Sequence, residues 1–177
     1  ANINISGREY VGSLAGYNSG TIASCYFTGT ITGDEESVNV GGLVGENSGG
    51  TITFCQASGT VSGNGQVGGL VGKNEYGTIT SCQAFDTTAG TICIGGLVGK
   101  NNSGSITNCY ATGSVNGVKI TGGLVGYTYG GGTITSCYAT GNIIATQRDA
   151  DGLVGMNGAG GTIAKSYATG TASGDSY

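Results

Sequence analysis

The sequence has no proline, no histidine and no tryptophan, a single methionine, and only 9% charged residues. Without proline, its 39 glycines cannot build a collagen helix, which sets glycine at every third place among proline-rich neighbours. Without histidine, a zinc site would need several thiolates to converge, and no Cys-x-x-Cys pair is present to begin one. Lysine and arginine number six and form no cluster, and the net charge is −4, so nucleic acid is not an expected partner. No apolar run approaches the roughly 18 residues of a membrane-spanning helix, so membrane insertion is not expected, and no stretch reads as a signal peptide.

What is present is repetition. Leu14, Leu43, Leu70, Leu97, Leu124 and Leu153 recur at intervals of 29, 27, 27, 27 and 29 residues, each in a phrase like Gly68-Gly69-Leu70-Val71-Gly72. A period of this length marks one structural unit stacked on copies of itself. Each copy offers three short runs rich in β-branched residues, separated by Gly, Asn and Ser, with no helical periodicity. Such runs are too short to stand alone. Paired in parallel with their counterparts, they predict an all-β fold: a parallel β-solenoid of about six coils, 27–29 residues per coil, with three short strands per coil. The whole of residues 1–177 reads as one solenoid domain and, beginning and stopping inside repeat-like text, as a segment of a longer repeat protein.

Stacking makes every repeat position a column. Gly16, Gly45, Gly72, Gly99, Gly126 and Gly155 follow the Leu by two places, where a β-carbon would crowd a narrow corner or demand an unfavourable φ. Asn18, Asn47, Asn74, Asn101 and Asn157 follow it by four, with Thr128 in the remaining copy. Stacked asparagines can bond turn backbone and one another, which predicts a structural ladder. Cys25, Cys55, Cys82, Cys109 and Cys137 share a third position, with Ser166 as the sixth member and Cys93 apart. They read first as free buried thiols and second as one or two disulfides between neighbouring rungs; no metal or other cofactor is expected. Alternation from Ile106 nevertheless turns Cys109 outward and Tyr110 inward, a conflict that a bend near Asn108 would remove.

Chemistry has few places to sit. The acidic groups Asp34-Glu35-Glu36 and Asp149 with Asp151 lie in the two longer connections, far apart along the stack, and read as solvated loops, so the chain is not expected to be an enzyme. Glu46, Lys73 and Lys100 share one position with Tyr17, Tyr127 and Met156 and read as an ordinary outer face. Thr51/Thr53, Thr78/Thr80, Ser105/Thr107 and Thr133/Thr135 flank an inward Ile and should present two ranks of hydroxyls. Such a charge-free face could hold ice or a glycan, or reflect β-propensity alone. Tyr26, Tyr110, Tyr138 and Tyr167, interrupted by Gln56 and Gln83, form an aromatic column that would suit sugars or protein if it faces out.

The phrase Gly-Gly-Leu-Val-Gly-x-Asn followed by Gly-x-Ile-Thr-x-Cys-Tyr-Ala-Thr-Gly resembles the GLUG repeat of bacterial and archaeal surface proteins, from Val11 to Gly170. Copy one departs at Ser13-Leu14-Ala15, copy three at Phe85-Asp86 and copy six at Asp151-Gly152. The resemblance implies an extracellular or cell-surface segment of an adhesin or filamentous haemagglutinin-like protein, acting as a non-catalytic stalk or presentation module. It would permit some disulfides and carries no catalytic residues. The partners it leaves open are cell-surface glycans and proteins of a host or neighbouring cell; ice follows only from the threonine ranks. Uncapped strand edges add end-to-end self-association. The alternatives are an ice-binding solenoid and a carbohydrate-binding or carbohydrate-cleaving β-helix. Asn4-Ile5-Ser6 and Asn101-Asn102-Ser103 fit the glycosylation pattern, the second overlapping the asparagine column.

Overall fold

In the computed structural model, which describes residues 3–174, the chain winds into a parallel β-solenoid of about six coils. There are 28 short strands and no helix among the described residues. Four sheets run along the stack. The leading sheet carries Ala15–Asn18, Val44–Ser48, Val71–Glu75, Val98–Asn102, Val125–Tyr129 and Val154–Asn157 in that order. The threonine sheet carries Thr21–Ala23, Thr51–Thr53, Thr78–Thr80, Ser105–Thr107, Thr133–Thr135 and Thr162–Ala164. A long sheet receives two stretches from each middle coil, such as Gln83–Ala84 and Thr87–Gly90, fused in Tyr26–Gly33 and Gln56–Ser62. The closing sheet holds Val40–Gly41, Gln66–Gly68, Cys93–Gly95, Ile120–Gly122 and Ala150–Asp151.

Three strands per coil is therefore corrected: from Val71 to Gly95 a coil contains five, in four sheets. Dipeptides and tripeptides flanked by glycine are invisible as strands until a counterpart above and below pairs with them. Register is that of the repeat, with Val71 opposite Val44 and Val98, and Ile79 opposite Ile52 and Ile106.

The core is a set of stacked columns. Leu43, Leu70, Leu97 and Leu124 are buried, as are Ile52, Ile79, Ile106 and Ile134, and Val44, Val71, Val98 and Val125. In the two outer coils the same columns open, with Leu14 53% and Ile163 38% exposed. The glycine two places after the Leu is needed for space. A β-carbon on Gly72 would stand 2.5 Å from the Val40 nitrogen, and one on Gly99 2.6 Å from that of Val67. The closing and leading sheets thus meet backbone to backbone.

The corner between the threonine and long sheets is left-handed in all six coils. Ser24, Phe54, Ser81, Asn108, Ser136 and Lys165 have φ between 51° and 55°. This corner resets the alternation: the residue after it points in and the next points out. Hence Cys109 is buried and Tyr110 faces outward, the reverse of simple alternation from Ile106.

Candidate functional surfaces

The cysteine column runs inside the corner. Cys55, Cys82, Cys109 and Cys137 are buried, Cys25 is half-buried, and all are free thiols. Each sulfur serves the neighbouring coil. The Cys55 N–H donates to the Cys82 Sγ (3.4 Å), that of Cys82 to Cys109 (3.3 Å), and that of Cys109 to Cys137 (3.4 Å). Each thiol in turn donates to the carbonyl two residues earlier, Cys82 to Thr80 and Cys109 to Thr107. Cys137 N–H finds the Ser166 Oγ at 3.0 Å, so a hydroxyl fills the same role. Burial pushes the Cys55 thiol up to about 11. Cys93 lies in the closing sheet between Gln66 and Ile120, remote from this column.

The asparagines form a continuous chain. Asn18 Nδ2 donates to Asn47 Oδ1 (2.7 Å), Asn47 to Asn74 (2.8 Å), Asn74 to Asn101 (2.8 Å), and Asn101 to Thr128 Oγ1 (3.2 Å). Each also bonds its own turn, as Asn74 Nδ2 does to the Gly77 carbonyl. Among the described residues, Asn157 Nδ2 bonds within its own turn, to the Gly161 carbonyl. Asn101 is wholly buried, so its acceptor pattern is closed to a glycan, whereas Asn4 is exposed.

On the threonine sheet Thr51, Thr53, Thr78, Thr80, Ser105, Thr107, Thr133 and Thr135 all lie on the outer face, part or fully exposed, around buried isoleucines. They are aligned in two ranks, Thr51–Thr78–Ser105–Thr133 and Thr53–Thr80–Thr107–Thr135. Ala23 and Ala164 end the second rank.

The tyrosine column faces outward, but its rings stack on one another. Tyr110 and Tyr138 are 4.7 Å apart and inclined by 6°, Tyr138 and Tyr167 5.4 Å apart and inclined by 9°. Phe85 closes one end edge-on against Tyr110 at 5.8 Å. The faces of Tyr138 are thereby spent on its neighbours, and Tyr110 and Tyr167 each give one face to it. Tyr26 stands alone at the other end, 82% exposed, beyond Gln56 and Gln83.

The leading sheet's outer face is more organised than an ordinary charged surface. Lys73 Nζ lies 2.6 Å from Glu75 and 3.7 Å from the buried Glu46, which accepts from Asn39 Nδ2 at 2.8 Å. Partial burial opposes the Lys73 charge, yet the Glu75 and Glu46 carboxylates outweigh it and hold its pKa above the usual value. Lys100 turns to the Tyr129 ring, 5.0 Å away, and Tyr129 stacks on Tyr127. The acidic loops stay separate: Glu36 pairs with Arg8 at the first long connection, while Asp149 and Asp151 lie at the last. Burial and then Asp149 raise the Asp151 pKa.

One feature carries no sequence signal beyond a broken phrase. Asp86 and Thr88 are fully buried, and among the described residues neither the Asp86 carboxyl oxygens nor the Thr88 hydroxyl has a hydrogen-bond partner. They stand where neighbouring coils have Gly59 and Val61 or Gly113 and Val115. Burial lifts the Asp86 carboxyl to about 7.

Five consecutive segments, residues 7–32, 36–62, 63–88, 90–116 and 118–144, match the family model described as the GLUG motif. No curated protein and no solved structure matches the chain.

Proposed function

This chain belongs to the GLUG-motif family, and from that premise we propose that it is a non-catalytic extracellular module that spaces or presents a binding region on a cell surface. The observation that carries this reading is how the repeat positions are used. Leucine, glycine, asparagine and cysteine columns all bond or pack one coil onto the next, so what recurs in sequence is devoted to continuing the stack. Six rungs at about 4.8 Å make a rise of roughly 25–30 Å, and length grows by adding coils. The test has two arms. Surface labelling of intact cells should reach the chain, and the purified chain should bind no glycan or cell-surface receptor with saturable affinity. Tight binding of a defined glycan to the isolated chain replaces the spacer reading with a receptor-binding one.

A second reading rests on the threonine sheet, whose two aligned, charge-free hydroxyl ranks could order water into a lattice. It predicts thermal hysteresis at micromolar protein, abolished by Thr80→Tyr or Thr107→Tyr. Unaltered ice growth at millimolar protein removes it. Sugar stacking on the tyrosines is less well supported, because the faces of Tyr110 and Tyr138 are already paired and Tyr26 stands apart from the stack.

A further inference from the structure

We infer that the column Cys25, Cys55, Cys82, Cys109 and Cys137 binds soft monovalent d10 cations of the copper(I) or silver(I) class, each held linearly between two successive sulfurs. In-register parallel strands stand about 4.8 Å apart, and the N–H···Sγ contacts of 3.3–3.5 Å fix each sulfur over the cysteine of the preceding coil. A metal–thiolate bond is about 2.3 Å, so two collinear bonds span about 4.6 Å, close to one rung.

Coordination number follows from the single file. Any point on the column has a sulfur above and a sulfur below, and no group of three His, Cys, Asp or Glu side chains converges anywhere among the described residues. Tetrahedral zinc and iron–sulfur clusters need three or four protein ligands, so they do not fit. A cation content with two ligands does, and thiolate softness selects copper(I) or its heavier congener. A disulfide is the poorer use of the same pair, because side chains that point the same way from stacked strands do not present the crossed geometry that bond requires.

The chemistry balances simply. Two adjacent thiols release their protons to solvent and one cation takes both sulfurs, leaving a net charge of −1. A thiolate sulfur cannot bridge two metals in line, so adjacent intervals do not fill together, and the loaded column holds two cations on four thiolates with a net charge of −2. Each sulfur but that of Cys25 then keeps the backbone N–H it already accepts, now donated to a thiolate. The half-buried Cys25 gives the column one end open to entry.

The test is an anaerobic titration of the fully reduced chain with copper(I) against a chromophoric copper(I) chelator. Cys25–Cys55, Cys55–Cys82, Cys82–Cys109 and Cys109–Cys137 offer four intervals of which no two that share a sulfur fill together, so the expected capacity is two ions per chain. Cys109→Ser isolates Cys137 and should lower capacity from two to one, whereas Cys93→Ser should leave it at two. Ser166 already occupies the same repeat position, so serine suits the site; should Cys109→Ser fail to fold, Cys55→Ser, which isolates Cys25, should likewise take capacity from two to one. X-ray absorption should show two sulfur neighbours per copper. A parent capacity other than two, equal losses in the Cys93 and Cys109 variants, or three sulfur neighbours per copper would each overturn the assignment.

Discussion

At position 86 the third coil places aspartate where the others have Gly29, Gly59, Gly113, Gly141 or Gly170, and it does so in a dry interior beside Gly69. Burial holds this carboxyl at about 7 against an ordinary 3.8. The unfolded chain therefore gives up its proton at lower pH than the native chain does. Native stability falls as pH rises from about 4 to about 7 and is level above, a loss of about 4 kcal/mol across that window. Asp86→Asn and Asp86→Gly should each remove the slope, and Asp86→Gly should melt higher than the parent at pH 8. Thermal melts of the three proteins at pH 4 and pH 8 decide it; parallel losses in parent and Asp86→Asn would show that another group titrates. Thr88→Val, which supplies the residue found in adjacent coils at Val61 and Val115, should add about 1 kcal/mol by removing an unpaired hydroxyl.

Among elements, the left-handed corner decides which side chains reach the interior. Phe54 adopts φ 53° while 65% exposed, so its ring returns little for the strain. Phe54→Gly should raise stability by about 0.5–1 kcal/mol and Ser81→Val should lower it by about 1–3 kcal/mol, measured by denaturant unfolding. The asparagine chain is the second device. Asn74→Ala removes bonds to Asn101 and Gly77 and the acceptor for Asn47, and should cost about 2–4 kcal/mol. Much of this was legible beforehand: the 27-residue spacing alone places Asn47, Asn74 and Asn101 in contact, because equal position means equal height. Which face Cys109 and Tyr110 occupy was not. Ser, Phe, Asn and Lys hold the left-handed corner without any glycine to announce it, so alternation counted through Asn108 inverts the answer. Asp86 and Thr88 stayed hidden for a related reason, since a polar residue in or beside a strand reads as solvent-facing until its neighbours above and below prove apolar. The fourth sheet was missed because its strands of two or three residues lean wholly on neighbouring rungs.

For the molecule as a whole, contacts run between adjacent coils, so stability is a sum of coil and interface contributions rather than the property of one centre. Burial is then graded along the axis: Leu97 is fully enclosed between Leu70 and Leu124, while Leu14 is 53% exposed in the first coil. Leu97→Ala leaves a cavity that stacked strands on both sides cannot close without losing register, and should cost about 3–5 kcal/mol; Leu14→Ala should cost under about 1 kcal/mol. The two changes should also differ in kind. A weakened rung in mid-stack loosens the coupling between the halves it joins, so Leu97→Ala should split one unfolding transition into two, whereas Leu14→Ala should leave a single transition. Amide exchange resolves the same point by position. Protection in the parent should peak across Val71–Asn102 and decline toward both ends, and in Leu97→Ala the maximum should divide around the altered coil. A uniform drop in protection along the whole chain would show instead that the six coils unfold as one unit, and the nearest-neighbour account of this stack would fail.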